Sequence, residues 1–317
     1  VHKTYGFKSH RPHHFKHTAR QCIAFSVLKV VFQAGLVYND ARKQGLAGGF
    51  FMATIGFIGG GQMAEAMIAA LVRTGYNAKE IFVSDHKQER AAELHAHYGV
   101  QASVGAEAFL GNIDTLILAV KPQAVFLAME ETHAKLSTGA LILSIVAGLP
   151  LKALEDVYTG HPCIRVMPNT PLAVGEGMSA YVTGAQVGNK ERETAEKFLG
   201  AAGRVVCVHE SALDAVTGLS GSGPAYACLI LDALADGGVA AGLKRSDAVL
   251  LAAQTLKGTA EMVLQTSKPP KVLADAVTSP AGTTAAGLRI LEEHAVRSAM
   301  IEAVCAASAR SKELGKA

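Results

Sequence analysis

Residues 54–64 read T-I-G-F-I-G-G-G-Q-M-A. A short apolar run over residues 55–58 leads into three glycines, after which apolar residues recur at intervals of three and four. This order predicts a strand, a tight turn and a helix. Gly59, Gly61 and Ala64 fit G-x-G-x-x-G/A, in which the first glycine makes the turn, the second admits a pyrophosphate and the last small residue allows close packing. The stretch predicts a dinucleotide site whose phosphates face a helix N-terminus.

Composition limits the classes of protein that this chain can be. Its 317 residues suggest about two domains, and a half-apolar composition with 18% charged residues supports a sizeable core. Residues 52–317 carry 22 basic and 26 acidic side chains, so this mildly acidic body offers no basic face for nucleic acid. Five scattered cysteines without CxxC spacing favour reduced thiols, and we expect a cytoplasmic protein.

Residues 1–51 differ from the rest of the chain. They hold eight Lys or Arg, five His and one acid, and lack the periodicity of a domain. An apolar stretch over residues 22–38 is interrupted by Lys29 and Gln33, which makes it too polar and short for a membrane span. Three interpretations compete: translated sequence upstream of a start at Met52, which we favour, a transit peptide, or a non-native extension. The histidines lack the spacing of a metal site.

The middle of the chain alternates between strand and helix patterns. Strands are predicted over residues 80–84, 114–120, 139–145, 163–167 and 204–208, and helices over 88–97 and 189–199. Because ligands of doubly wound sheets bind beyond the carboxyl ends of the strands, the residues after each strand are the candidates for binding. The small residues that follow the strand at 139–145 leave room for a flat ring, or mark a plain exit from the strand.

Two acidic residues in this region have two interpretations each. Asp85 follows the second strand, where an acid would accept from the ribose hydroxyls of NAD, but it can also cap the next helix. Lys87, two residues on, would suit the 2′-phosphate of NADP, so the cofactor preference stays open. Glu176 lies between two glycines, where a surface turn is favoured over a position in the cleft.

From Ser211 onward, strand patterns give way to Ala-rich helical ones. Helices are predicted over 212–219, 224–241, 246–264, 271–277 and 284–312, with Ser222 capping the second helix ahead of Pro224. The second helix is nearly all apolar, which suggests that another subunit covers it. Residues 278–284 combine hydroxyls, a glycine and a helix start, which suits a small carboxylate; simple capping by Thr283 is the alternative.

Taken together, these motifs resemble pyrroline-5-carboxylate reductase, the last enzyme of proline synthesis. The matching segments are F-I-G-G-G-Q-M-A at 57–64, A-V-K-P at 119–122, R-V-M-P-N-T-P at 165–171, D-A-V-T-G-L-S-G-S-G-P-A-Y at 214–226, L-D-A-L-A-D-G-G-V at 231–239 and T-S-P-A-G-T-T at 278–284. The first segment is generic, whereas the last and the serine-glycine-proline segment are specific in combination. The resemblance implies an α/β fold: a Rossmann-like dinucleotide-binding domain over 52–210, followed by an all-α dimerisation and substrate domain over 211–317.

The resemblance also implies a reaction, reduction of (S)-1-pyrroline-5-carboxylate to L-proline with NADPH or NADH, in a homodimer that often assembles into a decamer. The implied cofactor contacts are Ile58, Gly59, Gly60, Gly61, Gln62 and Met63 for the phosphates, Ser84, Asp85 and Lys87 for the adenosine end, and Ala119, Val120, Lys121, Pro122, Ile145, Val146 and Ala147 for the nicotinamide end. The implied substrate contacts, across the dimer interface, are Glu176, Ser279, Gly282, Thr283 and Thr284, with the Thr284 hydroxyl orienting the imine nitrogen. For Glu176 this replaces the surface interpretation.

Three positions depart from the family pattern, and two other functions compete. An Asn common near Gly105 and another near Ala276 are absent, and Ala281 replaces a usual glycine, which bears on cofactor affinity. A β-hydroxyacid dehydrogenase would need a lysine, usually with an asparagine, on the interdomain helix, but residues 211–243 contain neither. A non-catalytic NADP-binding regulator would not need the TSP-x-GTT loop.

Overall fold

The computed structural model of the protein describes residues 53–315. The predicted leader, residues 1–51, and Met52 lie outside the described residues. Within the described part, eight strands form one sheet in the order β3-β2-β1-β4-β5-β6-β7-β8. The strands are β1 Ile55–Ile58, β2 Ile81–Ser84, β3 Gln101–Ser103, β4 Thr115–Leu118, β5 Leu141–Ser144, β6 Cys163–Met167, β7 Gly177–Thr183 and β8 Gly203–Cys207.

Strands β1 to β6 are parallel, β7 runs antiparallel to β6, and β8 is parallel to β7. From β1 the chain builds outward through β2 to β3, and then crosses back to place β4 on the other side of β1. This reversal of strand order between β1 and β4 is the point where open parallel sheets form a ligand crevice. Gly59, the first glycine of the loop, directly follows β1.

Among residues 53–315, five helices accompany the sheet and six follow it. The first group is α1 Gln62–Arg73, α2 Gln88–Tyr98, α3 Val125–Thr132, α4 Leu151–Val157 and α5 Asn189–Gly200; the second is α6 Leu213–Val216, α7 Gly223–Ala240, α8 Arg245–Thr266, α9 Pro270–Ala276, α10 Thr283–Glu293 and α11 Val296–Leu314. Short 3₁₀ turns occur at Ala78–Glu80, Leu110–Asn112, Pro122–Ala124, His133–Lys135, Thr170–Val174 and Glu210–Ala212, and a π-helical turn at Thr217–Gly221.

Buried side chains on the two faces of the sheet form the core of the α/β part. One cluster joins Phe57 and Ile117 to Leu71 of α1 and Phe198 of α5. The other cluster joins Leu116 and Ile142 to residues of α3 and α4. Because both faces are covered, β1, β4 and β5 are fully buried, which explains why their sequences are almost entirely apolar.

The helices of the second part bury very little of themselves within one chain. Among the six described helices that follow the sheet, the buried residues are Leu213 in α6, Ala235 in α7, Ala248 and Ala252 in α8, and Leu273 in α9, with none in α10 or α11. Large apolar side chains such as Leu229 and Leu250 are instead 68% and 69% exposed. Exposed apolar side chains of this size are typical of an interaction site, as predicted for a helix that a second subunit covers.

Several local predictions were wrong. The predicted helix over 284–312 is two helices, since Ala295 takes a left-handed φ of 53° between α10 and α11. Ser222 makes no side-chain capping hydrogen bond, because α7 continues from the π-helical turn rather than starting from an extended residue. Strands β3 and β7 and helices α3 and α4 were not predicted from the sequence.

No helix among residues 53–315 combines the length and the apolar character that crossing a membrane requires.

Candidate active site

The carboxyl ends of four neighbouring strands meet at the crevice between β1 and β4. The Gly59 N–H donates to the Ser84 carbonyl at 2.8 Å, which links the ends of β1 and β2. The Ala119 N–H donates to the Ile58 carbonyl at 2.9 Å, and the Ile145 N–H donates to the Leu118 carbonyl at 3.0 Å. The structure thereby brings together the residues predicted for the phosphates, the adenosine end and the nicotinamide end of a cofactor.

Gly59 and Gly61 of the loop are required for different physical reasons. Gly59 has a φ of 97°, and a Cβ atom there would lie 2.8 Å from the Ala119 carbonyl oxygen. Gly61 has an ordinary φ of −67° and serves as the N-cap of α1. A Cβ atom on Gly61 would meet no atom within 4 Å, so this glycine faces open space.

This open space suits a pyrophosphate. The first N–H groups of α1 have no partners inside the helix, and the N-cap makes no side-chain hydrogen bond to them. These donors and the helix dipole favour an anion at Gly61, Gln62 and Met63. Ala64 is fully buried against the sheet, in the packing role expected of the last position of the fingerprint.

The Asp85 side chain stabilises the glycine loop by hydrogen bonds. Its Oδ2 accepts from the Gly60 N–H at 2.9 Å and its Oδ1 accepts from the Lys87 N–H at 3.0 Å. The carboxylate is only 10% exposed, whereas the neighbouring His86 is 82% exposed. The predicted capping of the next helix is wrong, since the N-cap of α2 is Lys87 and no side chain caps it. With both oxygens holding backbone N–H groups, Asp85 is tied to the loop itself.

The residues predicted for the nicotinamide end of the cofactor face the crevice with their main chains more than with their side chains. Ile58 and Val146 are buried in the core, so only their main chains can face a ligand. Lys121 and Ala147 are exposed, and Pro122 begins the 3₁₀ turn Pro122–Ala124. Ala119 and Val120 lie close to Gly59, which makes this edge narrow and built from small groups.

Glu176 lies in an exposed position just before β7. Its N–H donates to the Pro171 carbonyl at 3.1 Å, and the preceding Gly175 has a φ of 78°. A Cβ atom on Gly175 would clash with the guanidinium of Arg73, at the end of α1. The backbone of this turn therefore lies against the Arg73 side chain at the end of α1.

The loop at residues 278–284 is the other predicted half of the site. Ser279 and Thr283 are exposed and Thr284 is half-buried, and Gly282 is the N-cap of α10, so capping by Thr283 is wrong. The Gly282 N–H donates to the Ser279 carbonyl at 3.1 Å, and the Thr278 hydroxyl donates to the Ala274 carbonyl at 2.7 Å. In the single chain these hydrogen bonds stay within α9 and the loop, and the loop faces outward.

The contacts that join the two parts of the chain were not predicted from the sequence. The Asn169 Nδ2 donates to the Ser220 carbonyl at 3.1 Å, while its Oδ1 accepts from the Met178 N–H at 2.8 Å. Ser220 lies in the π-helical turn Thr217–Gly221, and turns of this kind are frequent at functional sites. The motif R-V-M-P-N-T-P draws attention to Asn169, but the sequence alone does not show which groups its side chain binds.

Two ionisable groups of the α/β part have pKa values that their surroundings shift. The Arg90 guanidinium, hydrogen-bonded to Glu65, lowers the pKa of that carboxyl below its usual value. Burial raises the pKa of the Cys163 thiol, on β6, to about 12. Within residues 53–315, no three His, Cys, Asp or Glu side chains are grouped so that they could hold a metal ion.

Comparison with known proteins identifies the family. Over 266 residues the chain is 45% identical to a pyrroline-5-carboxylate reductase of Synechocystis, covering 83% of this chain and 98% of the relative. The relative of the same name in Arabidopsis thaliana is 42% identical over 83% of this chain and 95% of its own. The chain belongs to the pyrroline-5-carboxylate reductase family.

Solved structures and domain families agree with this assignment. A pyrroline-5-carboxylate reductase from Coxiella burnetii superposes with a TM-score of 0.78 at 34% identity, over 83% of this chain and 99% of that one. The Plasmodium falciparum pyrroline carboxylate reductase, solved with NADP bound, gives 0.76 at 30% identity, over 84% and 100%. The pyrroline-5-carboxylate reductase dimerisation family matches residues 210–314, and the family of NADP oxidoreductases, coenzyme F420-dependent, matches residues 54–148. The predicted fold class, a Rossmann-like domain followed by a helical dimerisation domain, is confirmed.

Proposed function

We propose that this chain reduces (S)-1-pyrroline-5-carboxylate to L-proline with a hydride from NADPH, with NADH as the second candidate donor. The observation that carries the proposal is the membership in a reductase family together with an intact phosphate loop at the crevice between β1 and β4. We assign the cofactor to the residues gathered at that crevice, from Ile58 to Met63, at Ser84, Asp85 and Lys87, and at residues 119–122 and 145–147.

This reaction requires the protein to position the substrate against the cofactor more than it requires acid–base catalysis. A cyclic imine protonated on nitrogen already accepts hydride well, so the protein must hold its ring against the donor and balance its charges. We assign the substrate carboxylate to Gly282, Thr283 and Thr284, because this loop opens α10 and its first-turn N–H groups favour an anion. The Thr284 hydroxyl would orient the ring nitrogen, Ser279 would shape the pocket, and Glu176 would lie near the substrate.

These two groups of residues need a second chain to meet. The loop at residues 278–284 faces outward in the single chain, and the helices around it expose a large apolar surface. We therefore propose a homodimer in which the loop of one chain completes the crevice of its partner, with a decamer as the larger assembly. We also propose that the boundary between the two domains lies between residues 210 and 211. The scattered cysteines of the sequence support a cytoplasmic location.

A reductase assay tests the proposal. Oxidation of NADPH and of NADH is followed at 340 nm, in parallel, after addition of pyrroline-5-carboxylate. We expect turnover with at least one cofactor and a severe loss of kcat in Thr284→Ala, with cofactor affinity unchanged. Cofactor binding without turnover would favour a non-catalytic regulator instead, and an absence of turnover with both cofactors would overturn the proposed reaction.

A further inference from the structure

The middle glycine of the phosphate loop is held from both sides by side chains. Its N–H donates to Asp85, as described above, and its carbonyl accepts from the Arg90 Nε at 2.7 Å. Arg90 lies on α2, outside the fingerprint and outside every motif that the sequence analysis used. Both peptide groups that flank Gly60 are thereby fixed by groups from the end of β2 and the start of α2.

The hydrogen bond from Arg90 sets the direction of a phosphate donor. In a planar trans peptide the C=O and N–H bonds point in opposite directions. Because the Gly60 carbonyl points toward Arg90, the Gly61 N–H of the same peptide points away from it. Gly61 is exposed and borders open space, so this N–H is available to an anion.

Arg90 is itself held in place. Its Nη2 donates to Glu65 Oε2, its Nη1 donates to Glu93 Oε2 at 3.1 Å, and Glu65 Oε1 accepts from the Tyr98 hydroxyl at 3.0 Å. The Arg90 side chain is 23% exposed and the Glu65 side chain 28%. Glu65 lies in the first turn of α1, so the guanidinium also neutralises a carboxylate that would otherwise repel a bound phosphate.

We propose that Arg90 is a positioning residue for the cofactor: it orients the Gly60–Gly61 peptide and neutralises Glu65, with Tyr98 and Glu65 fixing its guanidinium. This rests on the proposed use of the crevice by a dinucleotide. It concerns the pyrophosphate, which NADPH and NADH share, and not the 2′-phosphate that distinguishes them. Arg90 thus contributes equally to the affinity for both cofactors.

Calorimetric titration of Arg90→Met with NADPH and with NADH tests this proposal without using turnover. We expect the Kd of both cofactors to rise by the same factor, about 10-fold, as loss of one charge-assisted hydrogen bond implies. The matched control is Glu93→Gln, which removes the more exposed partner of the same guanidinium and should leave both Kd values unchanged. A rise for NADPH alone would assign Arg90 to the 2′-phosphate and overturn the proposal, as would unchanged Kd values.

Two further variants separate positioning from general stability. Arg90→Lys keeps the positive charge but loses the planar guanidinium. It should still neutralise Glu65, so its affinity for both cofactors should lie between those of Arg90→Met and the wild type. Adding Glu65→Gln to Arg90→Met should likewise recover part of the affinity for both cofactors, since the unpaired carboxylate is removed. If Arg90→Met does not fold, Arg90→Lys takes its place: both Kd values should then rise above those of the wild type by the same factor, and unchanged Kd values for both cofactors would count against the proposal. Reductase activity can fail while these titrations still give an answer.

Discussion

Gly59 and Gly61 belong to one motif, yet a side chain would meet different surroundings at each. At Gly59 a methyl group would be 2.8 Å from the Ala119 oxygen, on a backbone with a φ of 97°. We expect Gly59→Ala to lower the free energy of unfolding by at least about 2 kcal/mol, from backbone strain and the clash together. Thermal unfolding of the purified variant measures this loss.

At Gly61 the same methyl group would enter open space. We expect Gly61→Ala to cost less than about 1 kcal/mol of stability, the usual range for an N-cap change. Its Kd for NADPH should nevertheless rise about 10-fold or more, because the added Cβ occupies the phosphate approach. A stable Gly59→Ala, or a Gly61→Ala with unchanged cofactor affinity, would contradict the roles given to these two glycines.

Cys163 provides a test of burial that depends on pH. Burial raises the pKa of its thiol from 9.0 to about 12, so the folded state keeps the proton where the unfolded chain releases it. The stability that this thiol contributes is full below pH 9 and falls as the pH rises toward 12. We expect a disulfide reagent at pH 8 to leave Cys163 unmodified until the protein unfolds, whereas the exposed Cys207 reacts in the native state. Modification of native Cys163, identified by peptide mapping, would contradict this burial.

At the scale of elements, Glu210 joins α4 to the sheet and to the start of the helical part. Its Oε1 accepts from the Leu151 N–H, at the first residue of α4, and from Arg165 Nη1 on β6, both at 2.8 Å. We expect Glu210→Ala to lower the free energy of unfolding by about 1 to 2 kcal/mol, since it leaves a helix-start donor and a largely buried cation without their partner. Denaturant unfolding measures the change.

The matched control lies on α4, the helix whose first N–H donates to Glu210. Lys152 and Asp156 form an exposed ion pair four residues apart on α4. Since exposed pairs contribute little, Asp156→Asn should leave the unfolding midpoint unchanged within error. Equal losses in Glu210→Ala and Asp156→Asn would mean that Glu210 acts only as a surface charge.

At the scale of the whole molecule, the exposed apolar side chains of α7 and α8 are the surface through which we propose that the homodimer forms. The two acids of α7, Asp232 and Asp236, both pair with Arg245 of the same chain, which leaves the remaining apolar residues of α7 for a partner. We expect Leu229→Glu to dissociate the oligomer, because a carboxylate buried in an apolar interface without a partner is costly. Turnover should fall with dissociation, since the loop at residues 278–284 would lose the opposite chain. Sedimentation velocity measures the mass of the particle.

Leu127→Glu is the control for this variant. Leu127 is 61% exposed on α3, in the α/β part of the chain. Its replacement should leave the sedimenting mass unchanged, because the family's dimerisation domain covers residues 210–314. A Leu229→Glu variant that keeps its mass would place the interface elsewhere.

Where the pattern was local and strongly periodic, the sequence by itself determined the structure. The strands Ile55–Ile58 and Cys163–Met167 were predicted at their observed bounds, and the helices that begin at Gln88 and Asn189 were predicted at their observed starts. Apolar runs in strands buried on both faces, and glycines at fixed offsets, are enforced by neighbours in the chain. The short strand Gln101–Ser103 and the antiparallel strand Gly177–Thr183 lacked such a pattern, because pairing with other strands stabilises them.

The sequence also identified the family, since its loops carry specific combinations of residues whatever their position in space. Only the tertiary structure decided which groups hold these loops. Arg90 meets Gly60 across 30 positions and Glu210 meets Leu151 across 59. Such contacts depend on how helices pack on the sheet, and no local propensity records them. The loop at residues 278–284 faces outward in the single chain. In the site that we propose, its residues bind the substrate carboxylate, and a second subunit completes the pocket.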